Sequence, residues 1–412
     1  MDILTRFELR KIIRKKTFYA GILFLVAVAL FLSIVLVANM QMTGKDGQFV
    51  NGVAAIRLER EYNRQLAGPL TIAAMEAAIR RHQDLLHDPN NLDKKGEMTV
   101  EANAKYDIKD NQIQFLITDA FSPANAYDYY LIDKINPEEM QGFYQRRLDK
   151  VREFLNSNDS DNNYTAKEKA YFTKMNEGIP VPFQMDYVTG WKNVFENLPD
   201  LFLIIAFVIG FCLAPVFAGE YQRGTDAIVL STRYGRSKVI AAKLKASFIV
   251  SVGLIFSPIA IYTFLILGVF GFDGAGAHVQ MIRFLAPVPF TVIETYLWTV
   301  LIGSLACLMV GALTLWLSSR MSNSFTVIVA TGVFLVGTQF IPESKNSRLL
   351  RYLTDLLPGN MFDSFRKITG YQIFNIGGQL VPTYKIMVGF SIIAIALLIP
   401  FTYQAFKKHQ VV

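Results

Sequence analysis

The chain has 412 residues, of which 52% are hydrophobic and 13% aromatic, with a mean hydropathy of +0.30. That is too apolar for an ordinary soluble protein, and it excludes a disordered, collagen-like or disulfide-rich secreted chain. The two cysteines, Cys212 and Cys307, both lie in apolar runs, and the net charge of +7 is distributed as a membrane topology signal rather than as a nucleic-acid-binding patch.

A bilayer core of about 30 Å needs roughly 20 helical residues. Six charge-free windows are long enough, and they place spans at 18–39, 200–219, 246–271, 295–317, 323–341 and 385–406. The fold class is therefore an all-α polytopic membrane protein with six transmembrane helices. The first stretch lacks a clean A-x-A cleavage site and reads as an uncleaved signal anchor. Residues 1–17 carry Arg6, Arg10, Lys11, Arg14, Lys15 and Lys16, and the connection 220–245 carries Arg223, Arg233, Arg236, Lys238, Lys243 and Lys245. Lys407 and Lys408 follow the last span. The positive-inside rule places both termini in the cytoplasm. Parity then puts 343–384 outside as an extracytoplasmic or re-entrant segment, despite its six Lys and Arg residues through Lys385.

Residues 45–197 differ in character, with 19 Lys plus Arg against 24 Asp plus Glu, leaving 22 against 10 elsewhere. This segment is expected to fold outside as a mainly helical domain between spans 1 and 2. A long polar-apolar stretch over 53–87 ends near Asp88-Pro89. Asn136-Pro137-Glu138-Glu139 starts a helix, Thr165 to Glu168 forms a capping box, and Gly178 stops that helix. The run Gln112 to Thr118 reads as a short strand, and 156–163 as a solvated loop.

No Walker phosphate loop, His-Glu-x-x-His or Gly-x-Ser-x-Gly motif occurs. His82 and His87 are five apart, a poor spacing for one metal, and read as a solvated helix surface. No metal or catalytic site is expected. Pro215, Pro258 and Pro400 read as packed kinks, and Glu294 as an interfacial carboxylate. The most informative stretch is 219–247, GEYQRGTDAIVLSTRYGRSKVIAAKLKAS. It joins Glu220, Gly224-Thr225, an apolar triplet Ile228-Val229-Leu230 and a basic run, and reads as a helix-turn-helix docking surface whose triplet fills a partner's groove.

With these features the chain resembles the permease subunits of type-2 ABC exporters, over residues 1–44 and 198–412. The family pattern of a Glu, Gly-Thr, an apolar pair and basic residues after the second span is matched by Glu220, Gly224, Thr225, Val229, Leu230, Arg236 and Lys243. A basic elbow helix precedes the spans in that family, here FELRKIIRKKTF, 7–18, with 1–17 as the cytoplasmic elbow segment before span 1. Short half-helices lie between its spans five and six, here 348–368 with a break at Leu357, Pro358 and Gly359. The large insert is similar to that of the longer bacterial permeases associated with antimicrobial peptides, drugs or ions.

The resemblance implies a multi-pass protein of the bacterial cytoplasmic membrane. Two separate cytoplasmic ABC ATPase subunits would bind ATP and Mg, with no cofactor on this chain. The connection 220–245 would hold the coupling helix, and a second permease chain would complete the pathway as a homodimer or heterodimer. Membrane lipid is a partner and nucleic acid is not. The substrate implied is an amphipathic peptide, drug or lipid-like molecule. An ion such as sodium is the alternative cargo, and a ligand-binding membrane sensor or assembly protein is the alternative function.

Overall fold

The computed structural model describes residues 1–44, 46–123, 127–157, 164–341 and 347–409. It is a mostly helical polytopic membrane protein. Helix α1 (Ile3–Ile13) is capped by Asp2, whose carboxylate accepts the Thr5 N–H at 2.8 Å. After a break at Arg14–Lys15, α2 (Lys16–Asn39) is apolar all round and buries only Leu25, Ala29 and Ser33. The expected elbow is thus shorter and earlier than 7–18, because Thr17 and Phe18 already belong to α2.

A small antiparallel pair, β1 (Gln41–Thr43) with β2 (Phe49–Asn51), leads into the polar region. The stretch 53–87 is two helices, α3 (Gly52–Arg64) and α4 (Ile72–Leu86), parted by β3 (Gly68–Pro69). After α5 (Val100–Ala102) comes α6 (Asn111–Phe121), where a strand was expected. Its buried Ile113, Leu116, Ile117 and Ala120 recur at i, i+3, i+4 and i+7, so helical periodicity overrides the β-propensity of the isoleucines. Helices α7 (Leu131–Lys134), α8 (Phe143–Asn156) and α9 (Ala166–Glu177) complete the region. The expected capping box forms at Thr165 with Glu168, and Gly178 is the C-cap of α9; the expected helix start at Asn136 also closes a capping box, with Glu139, at the head of a short 3-10 turn. Most of the loop expected over 156–163 lies outside the described residues.

Strand β4 (Gln184–Met185) pairs back onto β3 and delivers the chain to α10 (Thr189–Leu213). This helix starts before the expected span boundary at 200, inside the polar region, and continues unbroken into the bundle. Next come α11 (Ala218–Gln222), α12 (Thr225–Ser231), α13 (Lys238–Phe270) and α14 (Val292–Ser318). Glu294 completes a capping box with Thr291 at the start of α14. Then α15 (Ser324–Gln339), α16 (Arg348–Asp355), α17 (Pro358–Phe362) and α18 (Ser364–Thr369) precede the hairpin of β5 (Ile373–Ile376) and β6 (Gln379–Pro382). Helix α19 (Thr383–Lys407) ends the described fold. The three two-stranded ladders are a departure from an all-α chain.

Among the described residues five helices are long and apolar enough to cross a membrane: α2, α10, α13, α14 and α19. The expected fifth span is the shorter apolar helix α15, whose 16 residues extend about 24 Å. Pro258 and Pro400 lie within α13 and α19, whereas Pro215 falls at the break after α10.

One apolar core runs from the polar region, through Met75, Ile79 and Phe143, into the bundle at Phe195, Phe202 and Tyr262. Side chains of the polar region grip the connection between α13 and α14. Arg60 and Arg64 bond Asp273 at 2.6 and 2.7 Å. Buried Arg147 donates to the carbonyls of Phe284 and Ala286 and to Asn176 Oδ1, each at 3.1 Å. The basic residues of the α16–α18 segment are similarly engaged. Arg348 pairs with Glu168 at 3.0 Å, Lys367 with Asp355 at 2.6 Å and Arg366 with Asp363 at 3.0 Å. Each of these three charges is therefore paired within the fold.

Candidate functional site

The basic connection begins where α10 breaks. Pro215 has no N–H and cannot continue the helical ladder. The loose backbone groups are satisfied from α14 instead. The Ser318 hydroxyl accepts the Phe217 and Ala218 N–H groups, both at 3.0 Å, and donates to the Ala214 carbonyl at 2.6 Å. Ser318 thus mends the break, and no local sequence signal announces it.

Beyond the break, Glu220 turns inward and is almost fully buried. Lys243 on α13 reaches it at 2.8 Å, and the same ammonium bonds Glu8 of α1 at 3.0 Å and the Val216 carbonyl at 3.3 Å. Lys11 of α1 and the Thr225 hydroxyl also bond Glu220. Two carboxylates and two ammonium groups therefore balance in one cluster that ties α1, α11, α12 and α13 together. Burial alone pushes the Glu220 carboxyl upward. The Lys243 charge and the hydrogen bonds from Lys11, Lys243 and Thr225 outweigh it and hold the group down at about 2. Lys15 borders the same crowd of charges. Burial, with repulsion from Arg223, Lys11 and Lys243, brings its ammonium down to about 8.

Of the residues singled out from the sequence, Glu220, Thr225 and Lys243 thus meet. Gly224 sits beside them as the N-cap of α12 with φ of +65°, a left-handed conformation that glycine adopts without strain. Arg236 does not join. It lies at the surface and donates to the Lys407 carbonyl at 2.6 Å, at the end of α19, where a cation suits the unpaired carbonyls. The apolar triplet also divides. Leu230 is buried within the chain, Val229 is half-buried and Ile228 is 68% exposed. Leu230 therefore packs inward rather than facing out with Ile228, because the pitch of α12 turns neighbouring side chains to different faces. Leu357, Pro358 and Gly359 stand at the opposite end of the bundle. Leu357 caps α17, Pro358 takes its first position, and a Cβ on Gly359 would come within 2.7 Å of Gln339 at the end of α15.

Several contributors were not legible in advance. Glu8 and Lys11 complete the cluster from more than 200 residues away. Gly235 packs its backbone against α12 so closely that a Cβ there would meet the Val229 carbonyl at 1.7 Å. Asp226 pairs with His409 at 3.3 Å, and the rings of Tyr221 and His409 lie 4.3 Å apart. The connection is thereby fastened to the last span as well. In the polar region His82 is not a solvated surface residue. It is held between Asp107 and Asp133, at 2.8 Å from each, because α4 turns it toward the turn 103–107 that precedes α6 and toward α7. Among the described residues no group of three or more His, Cys, Asp or Glu is placed to hold a metal ion.

A family model described as "ABC-2 family transporter protein" matches residues 3–409. No curated protein and no solved structure matches the chain.

Proposed function

Because the chain belongs to the ABC-2 family of transporter proteins, as a membrane permease without an ATPase domain, we propose that it is the transmembrane half of an exporter. Two separate cytoplasmic ATPase subunits drive it, and a second permease chain, identical or related, completes the pathway. The cargo is an amphipathic molecule such as an antimicrobial peptide, drug or lipid-like compound. The membrane is the bacterial cytoplasmic membrane. With α15 crossing as the fifth of six spans, both termini and the connection 220–245 face the cytoplasm and residues 45–197 lie outside. The α16–α18 segment is the extracytoplasmic re-entrant element, broken at Leu357, Pro358 and Gly359.

The single observation that carries the mechanism is the charge cluster behind α12. Exposed Ile228 offers an apolar contact to a partner ATPase, while Glu220 beside it is bonded to both α1 and α13. Arg236 and Asp226 add links to the end of α19. ATP-driven closure of two ATPases would displace α12, and this bonded frame would move α1, α13 and α19 with it. Such movement converts ATP binding in the partner into alternating access of the spans. Ser318 supplies the pivot at the break after α10. Co-purification of the permease with its ATPase, followed by ATP hydrolysis with candidate amphipathic peptides, tests the reading. A permease that neither retains an ATPase nor responds to any of these cargoes overturns it.

A further inference from the structure

A half-open apolar groove of about 430 Å³ lies among α10, α13, α14 and α19, with exposed Phe248 and Ile392 at its mouth. It exists because small side chains meet there: Ser247 and Ser251 on α13, Gly311 and Ala312 on α14, and Ala396 on α19. A space of this size falls in the range of ligand pockets. Its lining is almost wholly hydrocarbon, which suits water poorly. Yet Ser247 is fully buried against it, and its hydroxyl has no hydrogen-bond partner among the described residues. A buried hydroxyl in that state lacks a protein partner, and an oxygen of a molecule in the groove would supply one.

The groove does not end blindly. A second space of about 670 Å³ shares the wall residues Leu244, Phe248 and Ile399 and continues to Met1, Asp2, Thr5 and Lys245. Here α1 exposes Ile3 and Phe7, while Arg6 and Arg10 are interleaved along the same helix. Apolar and basic residues together on one short helix mark the headgroup boundary of a membrane. Asp2 is already engaged with the Thr5 N–H and hydroxyl at 2.8 and 2.9 Å, and Lys245 is only loosely paired with it at 3.8 Å. The Lys245 ammonium is thus open to a stronger anion.

We propose that this continuous slot is a binding site for one anionic glycerophospholipid of the adjoining leaflet, with an acyl chain in the inner groove, an ester oxygen at Ser247 and the phosphate at Lys245. Every lining residue of the site comes from one chain. A lipid seated there wedges α13 from α19 next to the charge cluster, so it is placed to set the position of the basic connection.

The test uses the purified full-length chain, stripped of lipid in detergent. Phosphatidylglycerol or phosphatidylcholine is titrated in and bound lipid is counted by native mass spectrometry. One phosphatidylglycerol is expected to bind more tightly than phosphatidylcholine. The double change Ala312→Leu with Ala396→Leu fills the inner groove. Excluding as few as two methylenes weakens both lipids by about tenfold. Lys245→Glu weakens both lipids, since both carry the phosphate, but phosphatidylglycerol more than phosphatidylcholine, whose choline cation offsets the new carboxylate, so the preference is lost. Equal affinities in wild type and the filled variant, or no headgroup preference in wild type, overturn the assignment. Should the filled variant not fold, a diazirine-bearing phosphatidylglycerol on the wild-type chain gives the same decision. Crosslinks at Ser247, Ser251 or Ala312 support the slot, and crosslinks confined to outward-facing residues refute it.

Discussion

Lys243 and Glu220 stand 2.8 Å apart with each side chain no more than 2% exposed, at the junction of the basic connection and α13. Neither is tolerable there alone. Removing one member of a buried pair costs about 3–5 kcal/mol, because the other charge is left uncompensated. We therefore expect Lys243→Met to destabilise the chain strongly. Lys243→Met combined with Glu220→Gln should recover part of the loss, since Glu8 and Lys11 then remain as one carboxylate and one ammonium and the cluster is balanced again. Thermal unfolding of the purified single and double variants measures this. Equal stability of Lys243→Met and wild type would show that the pair does not hold the junction.

The two outer residues of the apolar triplet should behave differently. Ile228→Asp places a charge on an exposed face and should leave folding within about 0.5 kcal/mol of wild type. It should nevertheless abolish retention of the partner ATPase. Leu230→Ala removes a buried side chain and should cost about 2–5 kcal/mol of stability. Pull-down and melting measured on the same preparations separate the two effects. Wild-type ATPase retention by Ile228→Asp would remove α12 as the docking face.

Gly235 is a stricter requirement than Gly224. At Gly224 a Cβ meets no neighbour, so Gly224→Ala costs only the left-handed backbone strain, about 1–2 kcal/mol. At Gly235 the Cβ would collide with the Val229 carbonyl, and α12 must shift to admit it. Gly235→Ala should therefore uncouple ATP hydrolysis more severely than Gly224→Ala. Stimulated ATPase activity in membranes of the two variants gives the ranking.

His82 supplies a pH dependence with a definite sign. Burial opposes its charged form, but bonding and attraction from Asp107 and Asp133 raise its pKa above the usual 6.5. The stabilisation from the charged form is fully present below about pH 6.5 and is lost as pH rises through the higher folded value. Unfolding between pH 6 and 9 should show stability falling over that window in wild type. In His82→Gln the fall should be smaller, and an unchanged profile would count against the histidine as its source.

Topology is open to direct labelling. Cys212 and Cys307 are buried, so a membrane-impermeant thiol reagent should see little background. A cysteine at Ser157 should label in intact cells, and one at Arg233 only after permeabilisation. The reverse pattern would invert the orientation.

Hydropathy and local capping were legible without a fold. The long charge-free runs of α2, α10, α13, α14 and α19 need only their own composition to declare themselves, as do the caps at Asn136, Thr165 and Gly178. These depend on residues a few positions apart. The Glu220–Gly224–Thr225 pattern was visible for the same reason. Tertiary structure alone decided that Lys243 and Glu220 meet Glu8 and Lys11, that Ser318 mends the break at Pro215, and that Leu230 turns inward while Ile228 does not. It likewise made 112–118 a helix, by burying one face of α6, and held half-buried His82 between two aspartates. A buried charge or an orphaned backbone group demands a partner, but its identity is set by which helices pack together. That choice rests on contacts between residues up to 235 positions apart, which no local pattern encodes.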